Sequence, residues 1–307
     1  MMKTKKVLLI VGGFSNEREV SLNAGGDIAK ALTECDYEVV SHDFTDSWKL
    51  LDVIREEKPD VVFNGLYGNW GEDGEIQGLL DCLQIPYTHS GVLASAAGMD
   101  KYLTKLVAEK CGIKVAKDEK MTFGEFKKHG TSIKMPLVVK PVADGSSCGV
   151  FIVEKNEDLA AVKYNSDETE ILVEEYIAGQ ELTVMCLEGK SYVVTELRAK
   201  NKFYDYKAKY TGGVTEHILP AEIPEGVKNI CLDYAQRIHN ALGCNTISRT
   251  DFRYNPQDGV VMLEINTNPG MTSLSLVPEQ VKYALNMTYA QLCDLLVRNA
   301  KCRKLTN

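Results

Sequence analysis

Four polar residues near the carboxyl end of the chain have the types and the spacing of a divalent-metal site: Arg249, Asp251, Glu264 and Asn266. They lie in two strand-like segments, 246–254 and 260–266, joined by a turn whose Asp-Gly end is typical of a β-hairpin. Because side chains alternate between the faces of a strand, each segment presents its two polar residues on one face. We expect Asp251 to lie opposite Leu263 or Glu264, so that two carboxylates and an amide oxygen converge beside a guanidinium.

Oxygen ligands of this kind suit Mg²⁺, which keeps several waters and shares its coordination shell with substrate phosphates. A hairpin at a sheet edge with a solvated, salt-bridged face is the alternative that the residues leave open. The following segment favours the metal site, since Gly270 offers a backbone amide and Ser275 a hydroxyl next to it. The other face of the second strand, with Val261, Leu263 and Ile265, is apolar and is expected to pack on the core.

A glycine-rich segment, 140–149, lies between two apolar strand-like runs. Its Gly145, Ser146 and Ser147 could present backbone N–H groups to phosphate oxygens, and Lys140 could add a positive charge. The segment matches neither the P-loop nor the dinucleotide-binding pattern, so an ordinary hairpin turn is the alternative. Further along the chain, three residues could bind a nucleoside: Glu174, Ile177 and Glu181. A carboxylate could bind the sugar, and Ile177 could pack against adenine. The alternative is that the two carboxylates are only solvated.

A segment rich in lysine and tyrosine, 203–213, could close over such a site as a lid. In it, Lys209 could neutralise a phosphoryl group in transfer, and Tyr210 could supply a hydroxyl. Aromatic and basic residues also form platforms for single-stranded nucleic acids. The net charge of −8 argues against that reading and against binding to an anionic membrane.

The composition is that of a globular protein with enough material for more than one domain. The chain has 307 residues, of which 44% are hydrophobic and 25% charged, and its longest apolar runs are far shorter than the roughly 20 residues of a membrane helix. The amino-terminal apolar run, 7–11, is expected to be a buried strand and not a secretory signal. Nine scattered cysteines with no Cys-x-x-Cys pair predict reduced thiols in the cytoplasm, and no spacing of cysteine and histidine suggests zinc.

Alternating strand and helix patterns in the first ninety residues predict a parallel α/β sheet that would hold ligand groups at its carboxyl edge. We expect strands at 6–11, 37–43, 60–64, 136–141, 149–153 and 170–176, and strand pairs within 182–197. We expect helices at 17–32, 74–83, 95–112, 157–162, 227–242 and 289–298. The predicted domains are 1–95, 96–180 and 181–307.

Together these segments resemble the D-alanine–D-alanine ligase family of the ATP-grasp superfamily. The resemblance keeps its order along almost the whole chain, through 12–22, 68–78, 86–88, 99–101, 140–149, 203–210, 248–252 and 264–276. It implies an α/β amino-terminal domain that holds the first D-alanine, followed by a two-part α+β ATP-grasp fold that clamps ATP. It also implies a cytoplasmic homodimer that makes D-alanyl-D-alanine through an acylphosphate, for peptidoglycan precursor synthesis.

The resemblance implies a role for each matching residue. Lys101 and Lys140 would bind ATP phosphates beneath the 145–149 loop with its Ser147, and Lys209 would meet the transferred group. The nucleoside would contact Glu174, Ile177 and Glu181. Two Mg²⁺ ions, with Mn²⁺ as a substitute, would be held by Asp251, Glu264 and Asn266.

The remaining roles concern the amino-acid substrates. Glu17 would bind the first ammonium group, and Ser146 and Tyr210 would close the site through a hydrogen-bonded chain with it. Arg249 and the Gly270 amide would stabilise the tetrahedral oxyanion. Ser275 and Leu276 would contact the second substrate.

The chain departs from the family pattern at three places. Tyr67-Gly68 replaces His-Gly, Thr88 is followed by His89 where glycine is common, and Leu274 replaces a more polar residue. Tyr67 either donates a hydrogen bond to the first substrate's carboxylate or fills space against Trp70 and His89. A related ligase for another D-amino acid or a D-hydroxy acid is therefore an alternative, as is a non-catalytic nucleotide-binding relative.

Overall fold

The structure, a computed structural model, describes residues 5–145, 149–199, 215–273 and 275–304. A three-stranded parallel sheet comes first in the described chain, followed by a four-stranded and then a six-stranded antiparallel sheet. This order, a parallel α/β part followed by an α+β part, is the predicted one. The domain limits at residues 95 and 180 stay a prediction.

The amino-terminal part is built around one buried central strand. Its elements are β1 (Lys6–Gly12), α1 (Arg18–Glu34), β2 (Glu38–Phe44), α2 (Ser47–Glu57), β3 (Val61–Asn64) and α3 (Glu75–Cys82). The strand order is β2-β1-β3, and β1 is apolar on both faces because α1 packs on one face and α2 and α3 pack on the other. The loops after β1 and β3 therefore start at the same edge of the sheet and bring Glu17 and Tyr67 together there.

The second part contains the four-stranded sheet, in the order β4-β7-β5-β6. Its elements are α4 (Val92–Met99), α5 (Lys101–Lys110), β4 (Asp118–Thr122), α6 (Phe123–His129), β5 (Leu137–Pro141), β6 (Phe151–Val153), a 3-10 helix (Asn156–Ala161) and β7 (Glu170–Glu175). The helix predicted at 95–112 is two helices, because Asp100 has an extended backbone and its side chain caps α5 at the Leu103 amide, 2.8 Å away. β4 and α6 are not foreseen by the sequence patterns.

The third part carries the predicted hairpin inside a larger sheet, β11-β10-β8-β12-β13, with β9 paired to β8. Its elements are β8 (Gln180–Leu187), β9 (Lys190–Ser191), β10 (Thr195–Ala199), β11 (Thr215–Ile218), α7 (Glu225–Leu242), β12 (Ile247–Asn255), β13 (Gly259–Asn266), α8 (Leu276–Leu285) and α9 (Tyr289–Arg298). The first hairpin strand, β12, has a paired strand on each side. Within the described ranges, no helix has the length and apolar character needed to cross a membrane.

The hairpin register confirms one of the two predicted pairings. Asp251 lies opposite Glu264, and the register then shifts so that Phe252 pairs with Met262. The residue left over in this β-bulge is Leu263. The expectation that Leu263 packs on the core is wrong. The bulge interrupts the alternation of side chains between the two faces of the strand, and Leu263 lines a cavity instead.

Candidate active site

A cavity of about 1000 Å³ is lined by residues from all three parts of the chain. The predicted site residues in its lining are Glu17, Lys101, Lys140, Glu174, Ile177, Glu181, Arg249, Asp251, Glu264, Asn266, Gly270 and Ser275. Residues from positions more than 250 apart in sequence thus share one cavity. Four predicted site residues lie outside the described part of the chain, namely Ser146, Ser147, Lys209 and Tyr210.

The hairpin supplies the candidate metal ligands. The two shortest hydrogen bonds from Arg249 to Asp251 are 3.0 Å to Oδ1 and 2.8 Å to Oδ2, and Thr183 donates to the same Oδ1 at 2.6 Å. Glu264 lies 3.5 Å from the Lys101 ammonium and retains a partly exposed side chain. The Asn266 amide oxygen accepts a hydrogen bond of 2.9 Å from the backbone of Asn268.

These donors fit Mg²⁺ in chemical type, since all are hard oxygen atoms facing a cavity. Among the described residues, no group of three or more His, Cys, Asp and Glu side chains could hold a metal ion. Two carboxylates and one amide therefore form an incomplete shell. Phosphate oxygens and water would have to complete it, as is usual for Mg²⁺ bound with a nucleotide.

Lys101 is the first residue of α5 and ties the glycine-rich segment to the metal ligands. Its side chain is nearly buried, and its ammonium donates a hydrogen bond of 2.5 Å to the carbonyl of Asp144. The Asp144 side chain in turn accepts from the Gly145 amide at 2.8 Å. The Lys101 ammonium therefore lies between Asp144, in the glycine-rich segment, and Glu264.

The second predicted phosphate lysine, Lys140, belongs to a buried ion network. Lys140 contacts one oxygen of Glu174 at 2.5 Å, and Lys105 contacts the other at 2.8 Å. Lys105 also pairs with Asp118 at 2.5 Å and is only 2% exposed. Sequence patterns single out neither Lys105 nor Asp118. Glu174, assigned to the nucleoside by resemblance, has both of its oxygens engaged by lysines in this structure.

The cavity has an apolar wall next to these charges. Besides Ile177, it consists of four apolar side chains, one from β5, one just before β6, one from the middle of β6 and one from the bulge: Val138, Val150, Ile152 and Leu263. Glu181 lies further along the lining and pairs with Arg253 at 2.8 Å. An apolar wall with a carboxylate at its end is suited to a flat heterocycle joined to a sugar.

Glu17 reaches the glycine-rich segment from the opposite side of the cavity. It is 8% exposed and immediately precedes α1. A Cβ atom added at Gly145 would lie 2.6 Å from its Oε2 atom, and one added at Gly68 would lie 3.0 Å away. A side chain at either position would therefore require the Glu17 carboxylate to move from the place it occupies.

A second carboxylate, Glu72, lies at the same end of the cavity and has no counterpart among the predicted site residues. It accepts a hydrogen bond of 3.0 Å from the Gly68 amide and is 8% exposed. Burial raises the pKa of Glu72 well above its usual value, and the nearby charge of Glu17 raises it further. The raised pKa favours the neutral form of the Glu72 carboxyl.

Two of the departures from the family pattern differ in where they lie, since His89 is in the core and Tyr67 lines the cavity. His89 is 2% exposed, its ring packs against Phe63, and burial lowers its pKa to about 3, so it is a neutral core residue. Trp70 packs edge-to-face against Phe14 and Phe44. The Tyr67 hydroxyl accepts a hydrogen bond of 2.9 Å from the backbone of Met271 and lies at the cavity. Tyr67 therefore does more than fill space. Leu274 lies outside the described residues.

Known proteins resemble the chain over nearly its full length. The family models for the amino and carboxyl parts of D-ala D-ala ligase match residues 49–90 and 107–298. A D-alanine–D-alanine ligase of Wolbachia sp. subsp. Drosophila simulans (strain wRi) is 42% identical over 303 residues, which cover 98% of this chain and 95% of the relative.

Two solved structures share the fold. The D-alanine–D-alanine ligase of Bacillus anthracis, complexed with ATP, has a TM-score of 0.81 and 29% identity over 97% of each chain. The VanG D-Ala:D-Ser ligase of Enterococcus faecalis has a TM-score of 0.79 and 27% identity over 96% of this chain and 99% of its own.

The parallel amino-terminal sheet, the two antiparallel sheets and the shared cavity define a ligase with the ATP-grasp fold. The chain belongs to the D-alanine–D-alanine ligase family. The predictions of fold class and family are therefore confirmed. The roles given to individual site residues stay predictions.

Proposed function

We propose that the chain joins two D-alanine molecules into D-alanyl-D-alanine for peptidoglycan precursor synthesis, converting ATP to ADP and phosphate. One observation carries the proposal. The described residues to which the family resemblance assigns ammonium, phosphate, metal and oxyanion binding all line one cavity. The family membership supports the reaction, and the ATP complex of the Bacillus anthracis relative supports the nucleotide.

In the first step the carboxylate of one D-alanine attacks the γ-phosphate of ATP, the bond to the bridging oxygen breaks, and ADP leaves as the acylphosphate forms. Glu17 holds the ammonium group of this substrate, while Lys101 and Lys140 attract the phosphate oxygens and orient them. Asp251, Glu264 and Asn266 would hold two Mg²⁺ ions, or Mn²⁺ in their place, and the bound metal would neutralise negative charge on the phosphates.

In the second step the amino group of the other D-alanine attacks the acylphosphate, and phosphate leaves. Negative charge then develops on the carbonyl oxygen, where Arg249 and the Gly270 amide can donate hydrogen bonds. Asp251 binds the Nε and Nη2 atoms along one edge of the Arg249 guanidinium, which reduces reorganisation during the step. An added Cβ on Gly270 would lie 3.4 Å from the Ser275 hydroxyl, so Ser275, which would contact the second substrate, lies next to the proposed oxyanion donor.

The product distinguishes this function from its alternatives. The protein is incubated with ATP, Mg²⁺ and D-alanine, alone or mixed with D-serine or D-lactate, and phosphate release and product mass are measured. We expect D-alanyl-D-alanine as the main product. A mixed product in preference to it would indicate a ligase for another second substrate, and ATP binding without turnover would indicate a non-catalytic relative.

We further propose that the protein is a cytoplasmic homodimer, as the resemblance implies. The eight cysteines of the described residues are all free thiols, as expected in a reducing compartment. Light scattering coupled to size-exclusion chromatography measures the assembly directly. A single species of monomer mass at micromolar concentration would contradict the dimer.

Replacing Lys140 by methionine is expected to weaken ATP binding about 10-fold or more, the loss typical of a charge-assisted hydrogen bond. Adenosine binding should stay unchanged, because the ammonium is proposed to meet only phosphates. The fold should persist, since Glu174 keeps Lys105 as a partner at 2.8 Å. Calorimetric titration with both ligands measures the difference, and an equal loss for ATP and adenosine would remove Lys140 from the phosphate site.

Replacing Glu17 by glutamine is expected to raise KM for the first D-alanine about 10-fold, because the ammonium loses its charged partner. KM for ATP should change little. Glu19→Gln is the matched control, since Glu19 is an exposed carboxylate on the first turn of the same helix. Steady-state kinetics with each substrate varied in turn gives both constants. An unchanged KM for the first D-alanine would contradict the role of Glu17.

A further inference from the structure

Two tyrosines from distant parts of the chain bind the same backbone residue, directly after the proposed oxyanion donor. The amide of Met271 donates a hydrogen bond of 2.9 Å to the Tyr67 hydroxyl. The carbonyl of Met271 accepts a hydrogen bond from the Tyr289 hydroxyl. Met271 follows Gly270 in the sequence and is only 1% exposed. Both polar atoms of one peptide residue are therefore held by side chains and not by secondary structure.

The two tyrosines are 222 residues apart in the sequence. Tyr67 follows β3 in the amino-terminal part, and Tyr289 is the first residue of α9. Tyr67 and Met271 belong to one buried cluster, against which the half-buried Tyr289 packs. Packing of the rings fixes where the hydroxyls lie, and the hydroxyls fix the backbone between them.

Other contacts tie the same loop to the amino-terminal part. Asn268 donates a side-chain hydrogen bond of 2.8 Å to the carbonyl of Leu66, the residue before Tyr67. The Ser273 amide donates one of 2.9 Å to Asp27 on α1. Neither contact touches Gly270 or Met271, whereas the two tyrosine hydroxyls bind the residue that directly follows Gly270.

We propose that Tyr67 and Tyr289 are positioning residues for the ligation step. By holding Met271 at its amide and its carbonyl, they orient the adjoining Gly270 N–H toward the oxygen that becomes negative. Glycine has the greatest backbone freedom of any residue, and an oxyanion donor must lie within 2.7 to 3.1 Å of that oxygen. This inference rests on the proposed function and gives Tyr67 a role in place of direct binding to the substrate carboxylate.

The tests are Tyr67→Phe and Tyr289→Phe, each of which keeps the aromatic ring and removes one hydroxyl. A neutral hydrogen bond typically contributes enough to change a rate about 2- to 10-fold, and we expect kcat for dipeptide formation to fall in this range. KM for ATP and for the first D-alanine should stay within about twofold, since neither is proposed to contact the hydroxyls. Tyr283→Phe is the matched control, because Tyr283 is 56% exposed on α8.

A second measurement separates positioning from a general loss of stability. A dipeptide analogue with a tetrahedral phosphinate in place of the new amide carries its negative oxygen where the oxyanion forms, so it reports on the transition state. With ATP present, its affinity should fall in each variant by the same factor as kcat. The affinity of the free enzyme for ATP should stay the same.

The outcomes are distinct. Unchanged kcat and unchanged analogue affinity in both variants would overturn the positioning role. A rise in KM for the first D-alanine alone, confined to Tyr67→Phe, would also overturn it and would indicate direct contact with the substrate. If the unaltered protein forms no D-alanyl-D-alanine, the proposed function itself fails, whereas an active protein with unaffected variants contradicts only this inference.

Discussion

Replacing Glu264 by glutamine is expected to lower kcat about 100- to 1000-fold, the loss typical of removing one electrostatic contact from a transition state. Glu264 is one of only two carboxylates in the candidate metal set, so the substitution halves its negative charge. It also removes the charge that faces Lys101 at 3.5 Å. The amide keeps the size of the side chain, and 32% of that side chain is exposed, so the fold should tolerate the change.

The measurement is steady-state turnover over a range of Mg²⁺ concentrations, with Glu225→Gln as the control. Glu225 is an exposed residue at the start of α7 and is remote from the cavity lining. Activity that recovers partly at high Mg²⁺ would locate the defect in metal binding. Full activity of Glu264→Gln at low Mg²⁺ would refute the assignment. Asp251→Asn is a less clean test, because Asp251 also fixes Arg249 through hydrogen bonds.

Local signals predicted the hairpin and the convergence of its carboxylates correctly. An Asp-Gly turn and the alternation of side chains along two strands left Leu263 or Glu264 as the partner of Asp251, and the structure has Glu264 there. The same alternation failed at Leu263, because a bulge adds one residue to β13 and moves this side chain into the cavity lining. A bulge leaves no clear mark in a single sequence, so the apolar wall was predicted only in part.

Contacts between distant residues could not be predicted from the sequence. Tyr67 and Met271 are 204 residues apart, and Lys105 and Glu174 are 69 apart. Neither pair belongs to a motif with a fixed spacing. The missed helix α2 is different, since a signal was present: Asp46 caps its first turn by accepting from the amide of Trp48, and Leu50 and Ile54 recur at helical spacing.

The lysine network shows how the fold supports the phosphate end of the cavity. Glu174 is 4% exposed and accepts from Lys140 at one oxygen and from Lys105 at the other. Burial alone would raise the pKa of Glu174, but the two ammonium groups more than offset this, and the pKa is lowered overall. Asp118 balances the charge of Lys105. Lys140 can therefore turn toward a phosphate while Glu174 stays paired.

Replacing Lys105 by methionine is expected to lower the free energy of unfolding by about 3 to 5 kcal/mol, because removing one partner leaves buried charge uncompensated. The substitution leaves Asp118 without its lysine, and it leaves Glu174 with Lys140 as its one remaining lysine partner of the two. The control is Lys120→Met, which breaks a more exposed pair with Glu170 at 2.9 Å on the same sheet and should cost about 1 kcal/mol or less. Urea unfolding at pH 7 measures both.

The pH dependence of this loss gives a second check on the same network. A carboxyl whose pKa is lowered by folding stabilises the protein above its unfolded pKa of about 4.3, and this contribution disappears as the pH falls through the folded value. The pKa of Glu174 is lowered in this way. The difference in the free energy of unfolding between Lys105→Met and the unaltered protein should therefore be largest at neutral pH and shrink below about pH 4.3. Equal losses in Lys105→Met and Lys120→Met, or a difference that does not change with pH, would show that Lys105 does not stabilise the fold through Glu174.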